Sequence, residues 1–211
     1  MIKVENIEVM NLPSAFRGMR NPLESWDKSD SGYKSAGDSQ MEYYAVGPKD
    51  LTLALQLVNA GSDHSKFMRQ ILVSMDITAP DYWFKEFDTY KVGTVANSTS
   101  TMHKLGSRYL GEDDFSWDDI TQYKVRMLHH LNILIEDWKG ALKDGNKDEA
   151  ANLWRELIQD LPMSFNYVRT ITLNYAVLRN MYQSRKSHKL TEWREFCKII
   201  EELPYSELIT T

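Results

Sequence analysis

The segment from residue 64 to residue 102 constrains the fold of this 211-residue chain more than any other. Its apolar residues alternate loosely from Met68 to Ile77 and the run ends at Ala79-Pro80, which predicts a β-strand and then a short aromatic helix that begins behind Pro80. A histidine, a lysine, an arginine, a Tyr-Lys pair and a hydroxyl-rich run surround this strand. We therefore expect the chemistry of the protein to gather around it.

The rest of the chain predicts a second strand and several helices. The first ten residues alternate between polar and apolar, a pattern typical of an edge strand. Asp50 has the position of a helix N-cap, with the helix continuing to Ala60. Helical spacing of apolar residues predicts four later helices, over residues 117–143, 147–161, 167–185 and 190–203. Residues 25–40 are polar with few apolar anchors and predict a mobile surface loop.

Composition and charge limit the class of protein. A hydrophobic content of 42% supplies a core, and the length suits one compact domain over residues 1–211. A net charge of -5 leaves no basic field of the kind that binds duplexes, so we expect no polymeric nucleic acid partner. Because the sequence has neither a secretory signal pattern nor an apolar run near the roughly 20 residues that span a bilayer, we expect a cytoplasmic protein without a membrane partner.

Cysteine and histidine spacing argues against thiol and metal chemistry. The single cysteine, Cys197, lies beside Phe196 and Ile200 on a predicted helix, so we expect a core thiol. His129 and His130 adjoin each other and would point in different directions on a helix. Neither HExxH nor CxxC spacing occurs, so we expect no metal site.

A hydroxyl-rich run, TVANSTST at residues 94–101, offers five hydroxyls and one amide. Tyr90-Lys91 precedes it and His103-Lys104 follows it, and such donors can hold a phosphate or line a ribose pocket. A polar helix terminus or a solvated loop, in which the hydroxyls bind nearby backbone groups, explains the same composition. Composition leaves both interpretations open.

The order of features from Ala60 onward resembles the flavin-dependent thymidylate synthase family. That family has a His near a strand ending in Ile-Lys-Ala-Pro, then an aromatic helix and the motif Arg-His-Arg-x-x-Ser-x-Asn-Glu-x-Ser-x-Arg. When the two sequences are aligned without gaps from His64, the family histidine falls on His64 and the family Ala-Pro falls on Ala79-Pro80. The motif then falls on residues 89–101, with Thr89-Tyr90-Lys91 for Arg-His-Arg, Thr94 and Thr99 for the serines, Ala96-Asn97 for Asn-Glu, and Thr101 for the last arginine.

The second half of the chain resembles the same family. Leu161-Pro162-Met163 parallels a family Leu-Pro-Leu, and TITLNYAVLRNMYQSR at residues 170–185 parallels Thr-Val-Asn-Ala-Arg-Ser-Leu with a later Arg. Asn174, Asn180 and Arg185 match, whereas Ala176 stands where the family has an arginine. The resemblance spans residues 50–200.

The resemblance implies an α/β (α+β) fold with a mixed sheet flanked by helices, and a homotetramer with active sites between subunits. It implies FAD as cofactor and methylene-tetrahydrofolate as co-substrate in a reductive methylation of dUMP that uses no cysteine nucleophile. By position, it suggests catalytic contacts at Tyr90, Lys91 and Thr99. The suggested cofactor contacts are His64, Lys66, Thr89, Asn174 and Asn180, and the suggested substrate contacts are Arg69, Thr94, Asn97, Ser98, Ser100, Thr101 and Arg185. On a strand, Lys66 and Arg69 would point to opposite faces, so we expect one of them to line a pocket.

Three functions are compatible with these patterns. The first is a pyrimidine-nucleotide-binding protein that resembles this family. Its methyltransferase activity is in question, because three arginines of the family are replaced here by Thr89, Thr101 and Ala176. The second is a catalytically silent relative that binds or sequesters a nucleotide or a nucleotide-derived signal. The third is an interaction protein that reuses the scaffold. The compact, divergent sequence is compatible with a phage origin.

Overall fold

Six strands form two sheets in the computed structural model, which describes residues 2–35 and 42–211. The larger sheet has the order β1-β4-β6-β5. Its strands are β1 at Lys3–Met10, β4 at Leu72–Pro80, β5 at Val95–Ser98 and β6 at Asn166–Asn174. In the smaller sheet, β2 at Gly32–Ser35 pairs antiparallel with β3 at Glu42–Ala45. β1 lies at an edge of its sheet, as its alternating sequence predicts.

Helices account for most of the remaining described residues. The α-helices are α1 at Leu12–Met19, α2 at Pro48–Asn59, α3 at Asp81–Phe87, α4 at Thr101–Lys104, α5 at Gln122–Lys143, α6 at Lys147–Asp160, α7 at Tyr175–Arg185, α8 at Thr191–Glu201 and α9 at Glu207–Thr210. Short 3₁₀ helices lie at Asn21–Leu23, Trp26–Lys28, Lys66–Gln70, Leu105–Ser107 and Glu112–Asp114. The predicted helices over 117–143, 147–161 and 190–203 correspond to α5, α6 and α8. Thr121 caps α5 by accepting a hydrogen bond from the Lys124 N–H.

The prediction of one helix over residues 167–185 is wrong in its first half. Residues 166–174 form strand β6, and only the residues from Tyr175 onward are helical. Val168, Thr170 and Thr172 are β-branched, and Ile171 and Leu173 are buried on β6. Crowding at a branched Cβ disfavours a helix and favours a pleated strand, so β-branched content with a two-residue period decides the outcome.

Three predicted boundaries also shift, and the first is the start of α5, which lies at Gln122 rather than at residue 117. Residues 66–70 form a 3₁₀ helix, and β4 begins only at Leu72. Asp50 does not cap α2, because Gly47 is its N-cap and Asp50 lies one turn inside, fully buried against Arg20. The predicted loop over 25–40 contains the 3₁₀ helix at Trp26–Lys28 and strand β2, while residues 36–40 lie outside the described residues.

The described residues divide into two compact units. Unit 1 comprises the N-terminus up to Lys3 and residues 77–89 and 97–169, and unit 2 comprises residues 4–76, 90–96 and 170–211. The core of unit 1 includes Leu131, Ile135 and Leu157 on the helices α5 and α6. The buried residues of unit 2 include Val73 on β4, Ile171 on β6, Leu178 on α7 and Phe196 on α8. The single-domain organisation stays a prediction.

Two further expectations bear on class. Cys197 is buried in α8, so the predicted core thiol is confirmed. Within residues 2–35 and 42–211, every helix is too short or too polar to cross a lipid bilayer.

Candidate functional site

The first candidate site is a pocket of unit 1, here called the hydroxyl pocket, with a volume of about 270 Å³. Three consecutive residues of the hydroxyl run, Thr99, Ser100 and Thr101, line it where β5 leads into α4. The other lining residues are Thr78, Lys104, Leu105, Ser107, Arg108, Leu110, Asp113, Asp114, Phe165, Asn166 and Val168. Hydroxyls, two cations and two carboxylates therefore meet over an apolar floor.

The residues of the hydroxyl run divide between the pocket lining and local backbone contacts. Thr99 donates its N–H to the Val168 carbonyl at 2.9 Å, and its Oγ1 accepts the Val168 N–H at 3.2 Å. These bonds fix the run against β6 and present Ser100 and Thr101 to the pocket. Thr94 instead donates its hydroxyl to the Tyr90 carbonyl at 2.8 Å, which is the local backbone role. Asn97 and Ser98 are exposed on β5.

Arg108 and Asp114 form a fork at this pocket. Arg108 Nη1 donates to Asp114 Oδ2 at 2.7 Å, and Nη2 forms a short ion pair with Asp114 Oδ1. Burial alone would raise the pKa of Asp114, but hydrogen bonds from Arg108 and the Gly111 N–H outweigh it and hold that pKa below its usual range. Sequence reasoning missed this pair, because its members lie six residues apart in a segment that is neither an α-helix nor a strand, and a 3₁₀ turn brings them together.

The second candidate site is a cavity of unit 2, here called the His64 cavity, with a volume of about 620 Å³. His64 and Lys66, two predicted cofactor contacts, both line it. Arg69 is exposed on the same 3₁₀ helix and is not among the lining residues. Lys66 therefore lines this cavity and Arg69 does not, but the strand geometry behind the expectation is wrong because residues 66–70 form a 3₁₀ helix.

In unit 2, the Arg185 guanidinium lies against two aromatic rings, those of Tyr90 and Trp193. Arg185 Nε donates to the Tyr90 hydroxyl at 2.9 Å. The guanidinium carbon lies 5.0 Å from the centroid of the Trp193 ring and 5.6 Å from that of Tyr90. These distances are within the range of cation–π attraction. Thr89 and Lys91 are exposed. Trp193, which sequence reasoning passed over, occupies an apolar position of α8 that looks like any core residue.

Asn174, another predicted cofactor contact, has a structural role in this fold. It is buried and caps α7, because its Oδ1 accepts the Val177 N–H at 3.1 Å. Gly93 has a φ of +81°, and a Cβ added there would lie 2.8 Å from Asn174 Nδ2. The side chain therefore supports the turn before β5. Asn180 is exposed on α7.

One group of metal-ligating side chains converges within the described part of the chain. The ligand atoms of His130 on α5 and of Glu156 and Asp160 on α6 lie within 4.8 Å of one another. All three residues are exposed, and Arg126 lines the same surface depression as His130 and Asp160. The 2.8 Å contact of His130 Nε2 with Asp160 Oδ2 accounts for this pair without an ion. The absence of a metal site stays a prediction.

Comparison with solved structures identifies the architecture. ThyX from Helicobacter pylori, complexed with FAD and dUMP, has a TM-score of 0.71 at 18% identity over 98% of this chain and 97% of that chain. A second structure of the same enzyme with FAD and dUMP gives a TM-score of 0.72 at 17% identity over 100% and 97%. The chain has the fold of the flavin-dependent thymidylate synthases. The UMP/dUMP methylase PolB from Streptomyces cacaoi, bound with 5-Br dUMP, gives a TM-score of 0.62 at 16% identity over 100% and 95%.

The ThyX-like fold confirms the α/β expectation that the resemblance raised. No family model matches the sequence, and no curated protein matches it. Identities of 16–18% carry the fold alone. Function has to be argued from the residues of this chain.

Proposed function

We propose that this ThyX-like chain binds a pyrimidine mononucleotide in the hydroxyl pocket. The observation that carries the proposal is the convergence of Thr99, Ser100 and Thr101 with Lys104 and Arg108 around one cavity. Hydroxyls and cationic donors are the groups that bind phosphate and ribose oxygens. The volume of about 270 Å³ is close to the lower limit of ligand pockets, about 300 Å³, which suits a mononucleotide better than a dinucleotide.

Calorimetry with dUMP, dCMP and dTMP tests this proposal. S100A and T101V each remove one neutral hydrogen-bonding group, which contributes about 1 kcal/mol, so each is expected to weaken binding about fivefold. S35A is the matched control, because Ser35 is exposed on β2 and does not line the pocket. Flat titrations with all three nucleotides would overturn the proposal.

A flavin-dependent methyl transfer to dUMP is a second candidate, favoured by His64 and Lys66 in the His64 cavity. The two ThyX structures that this fold resembles contain FAD, which makes FAD the cofactor to test. The donor set of this chain does not fit well, because Thr89, Thr101 and Ala176 are neutral where the resemblance places arginines. Lys66 is a point charge and cannot replace a bidentate guanidinium.

This mismatch supports the alternative of a catalytically silent relative that captures a nucleotide or a nucleotide-derived signal. A colourless protein that FAD cannot reconstitute, and that releases a non-flavin nucleotide on denaturation, is the expected result by absorption spectroscopy and mass spectrometry. A flavin absorption band in the purified protein would instead favour the methyltransferase, with methylene-tetrahydrofolate as co-substrate.

We also propose a cytoplasmic homotetramer with sites between subunits, as the resemblance implies. Light scattering after gel filtration should give four times the chain mass of 24.6 kDa. A monomeric mass at micromolar concentration would contradict this assembly.

A further inference from the structure

The charges of the hydroxyl pocket cancel. Lys104 and Arg108 face Asp113 and Asp114 around the same cavity, so two cations meet two carboxylates. A phosphate that enters such a pocket meets no net attraction unless the paired cation turns from its carboxylate to the ligand. The arrangement therefore raises the question of which cation is able to move.

Arg108, whose Nη1 also donates to the Tyr109 carbonyl at 2.9 Å, is the more exposed member of its pair, and Asp114 is the more buried one. The Arg108 side chain is 62% exposed, whereas Asp114 is 16% exposed and accepts the Gly111 N–H at 2.8 Å. Asp114 also ends the 3₁₀ helix at Glu112–Asp114, which holds its backbone. The guanidinium presents both terminal nitrogens to the carboxylate, the same planar fork that binds two phosphate oxygens.

We propose that Arg108 is a latched phosphate-binding arginine, which Asp114 holds in the empty pocket and which the phosphate of the bound nucleotide takes from Asp114. This inference rests on the proposed nucleotide binding and names the group that distinguishes a nucleotide from a nucleoside.

The exchange is favourable because the two bonds differ in strength. Breaking an ion pair with an exposed partner costs about fivefold or less in an equilibrium constant. Charge-assisted hydrogen bonds from a guanidinium to a desolvated phosphate contribute at least about tenfold. The latch thus lowers nucleotide affinity only slightly while it keeps Arg108 paired when the pocket is empty.

Titration calorimetry of the full chain with dUMP and with deoxyuridine tests the latch. R108Q is expected to weaken dUMP binding at least tenfold and to leave deoxyuridine binding unchanged, and R108K is expected to fall between R108Q and the wild type because it keeps the charge and loses the fork. D114N is expected to strengthen dUMP binding by up to about fivefold. The asparagine keeps an oxygen for the Gly111 N–H, and a thermal melt checks that the variant folds.

The matched control is D113N, which removes an equal charge from the same pocket outside the fork. It is expected to strengthen dUMP binding less than D114N does, and D114N in the R108Q background should gain no more than D113N gains in the wild type. Equal gains from D113N and D114N, or an R108Q protein that binds dUMP as the wild type does, would overturn the latch while the nucleotide proposal stands. A wild-type chain that binds deoxyuridine but gains nothing from the phosphate would also overturn it. Failure to bind either compound would overturn both proposals.

Discussion

The ion pair of Arg20 with Asp50 is the feature of unit 2 whose removal should destabilise the protein most. Arg20 is 5% exposed and Asp50 is fully buried, with Arg20 Nε donating to Asp50 Oδ1 at 2.6 Å. Ser29 and Ser31 donate their hydroxyls to Asp50 Oδ2 at 2.6 and 2.5 Å. Arg20 also donates to the Ser25 carbonyl at 3.2 Å. The network ties α1 and the segment after it to the first turn of α2.

R20M should lower the free energy of unfolding by about 3–5 kcal/mol, because it leaves the Asp50 carboxylate buried without its cation. That is a large part of the roughly 5–15 kcal/mol typical of a folded domain. Urea denaturation followed by circular dichroism measures the change. R20M/D50N, which removes both charges, should be less destabilised than R20M. A cost below about 1 kcal/mol for R20M, or a double variant as unstable as the sum of the single variants, would refute the reasoning.

The pH dependence of the same variant gives a second check. Burial would raise the pKa of Asp50, but hydrogen bonds from Ser29 and Ser31 and the Arg20 cation outweigh it, so the pKa lies below its usual range. The stability that this shift contributes is present above the unfolded pKa, about 3.9, and is lost as pH falls through the lower folded pKa. In R20M the cation is gone, so protonation of Asp50 relieves the buried charge. The difference in stability between wild type and R20M should therefore shrink from pH 7 to pH 4, and a constant difference would contradict this account.

Two further predictions concern backbone and thiol. G93A should lower the melting temperature, because Gly93 has a φ of +81° and an added Cβ would lie 2.8 Å from Asn174 Nδ2. The control is G140A on α5, where an added Cβ has no atom within 4 Å and should stabilise the protein by up to about 1 kcal/mol. Equal melting temperatures for the two variants would count against a strained turn at Gly93. Burial, with a smaller contribution from Glu201, raises the pKa of Cys197 to about 11, so a thiol reagent at pH 8 should label it only after denaturation, and rapid labelling of the native protein would show that the thiol is accessible.

The sequence was most informative where one residue ended one element and began the next. Pro80 limits β4 and opens α3, and both elements follow from that punctuation. Asn174 has the same double role between β6 and α7, yet the segment around it was interpreted as one helix. Its asparagine is a good N-cap, but caps are recognised only when the strand before them is recognised. Strand β6 was therefore missed because the boundary at Asn174 was not recognised.

The candidate site was less predictable than the fold, because its geometry depends on pairs that local patterns do not encode. Thr99 and Thr101 are recognisable from the sequence as members of a hydroxyl-rich run, because the residue types in a run do not depend on its conformation. The fork of Arg108 onto Asp114 requires the 3₁₀ turn between them, and the burial of Asp50 requires Arg20 to approach it from 30 residues away. Neither distance follows from a sequence period.

The exposure of residues in the segment 89–101 explains how a ThyX-like fold forms although the side chains expected there from the resemblance are absent. Thr89, Lys91 and Asn97 are exposed, so side chains there contribute little to burial and can change without cost to the core. The buried residues Val73 and Ile77 of β4 instead carry the apolar contacts that specify the sheet. A sequence can therefore differ from the expected motif at these exposed positions and still form the same order of strands and helices, because the buried residues specify the fold.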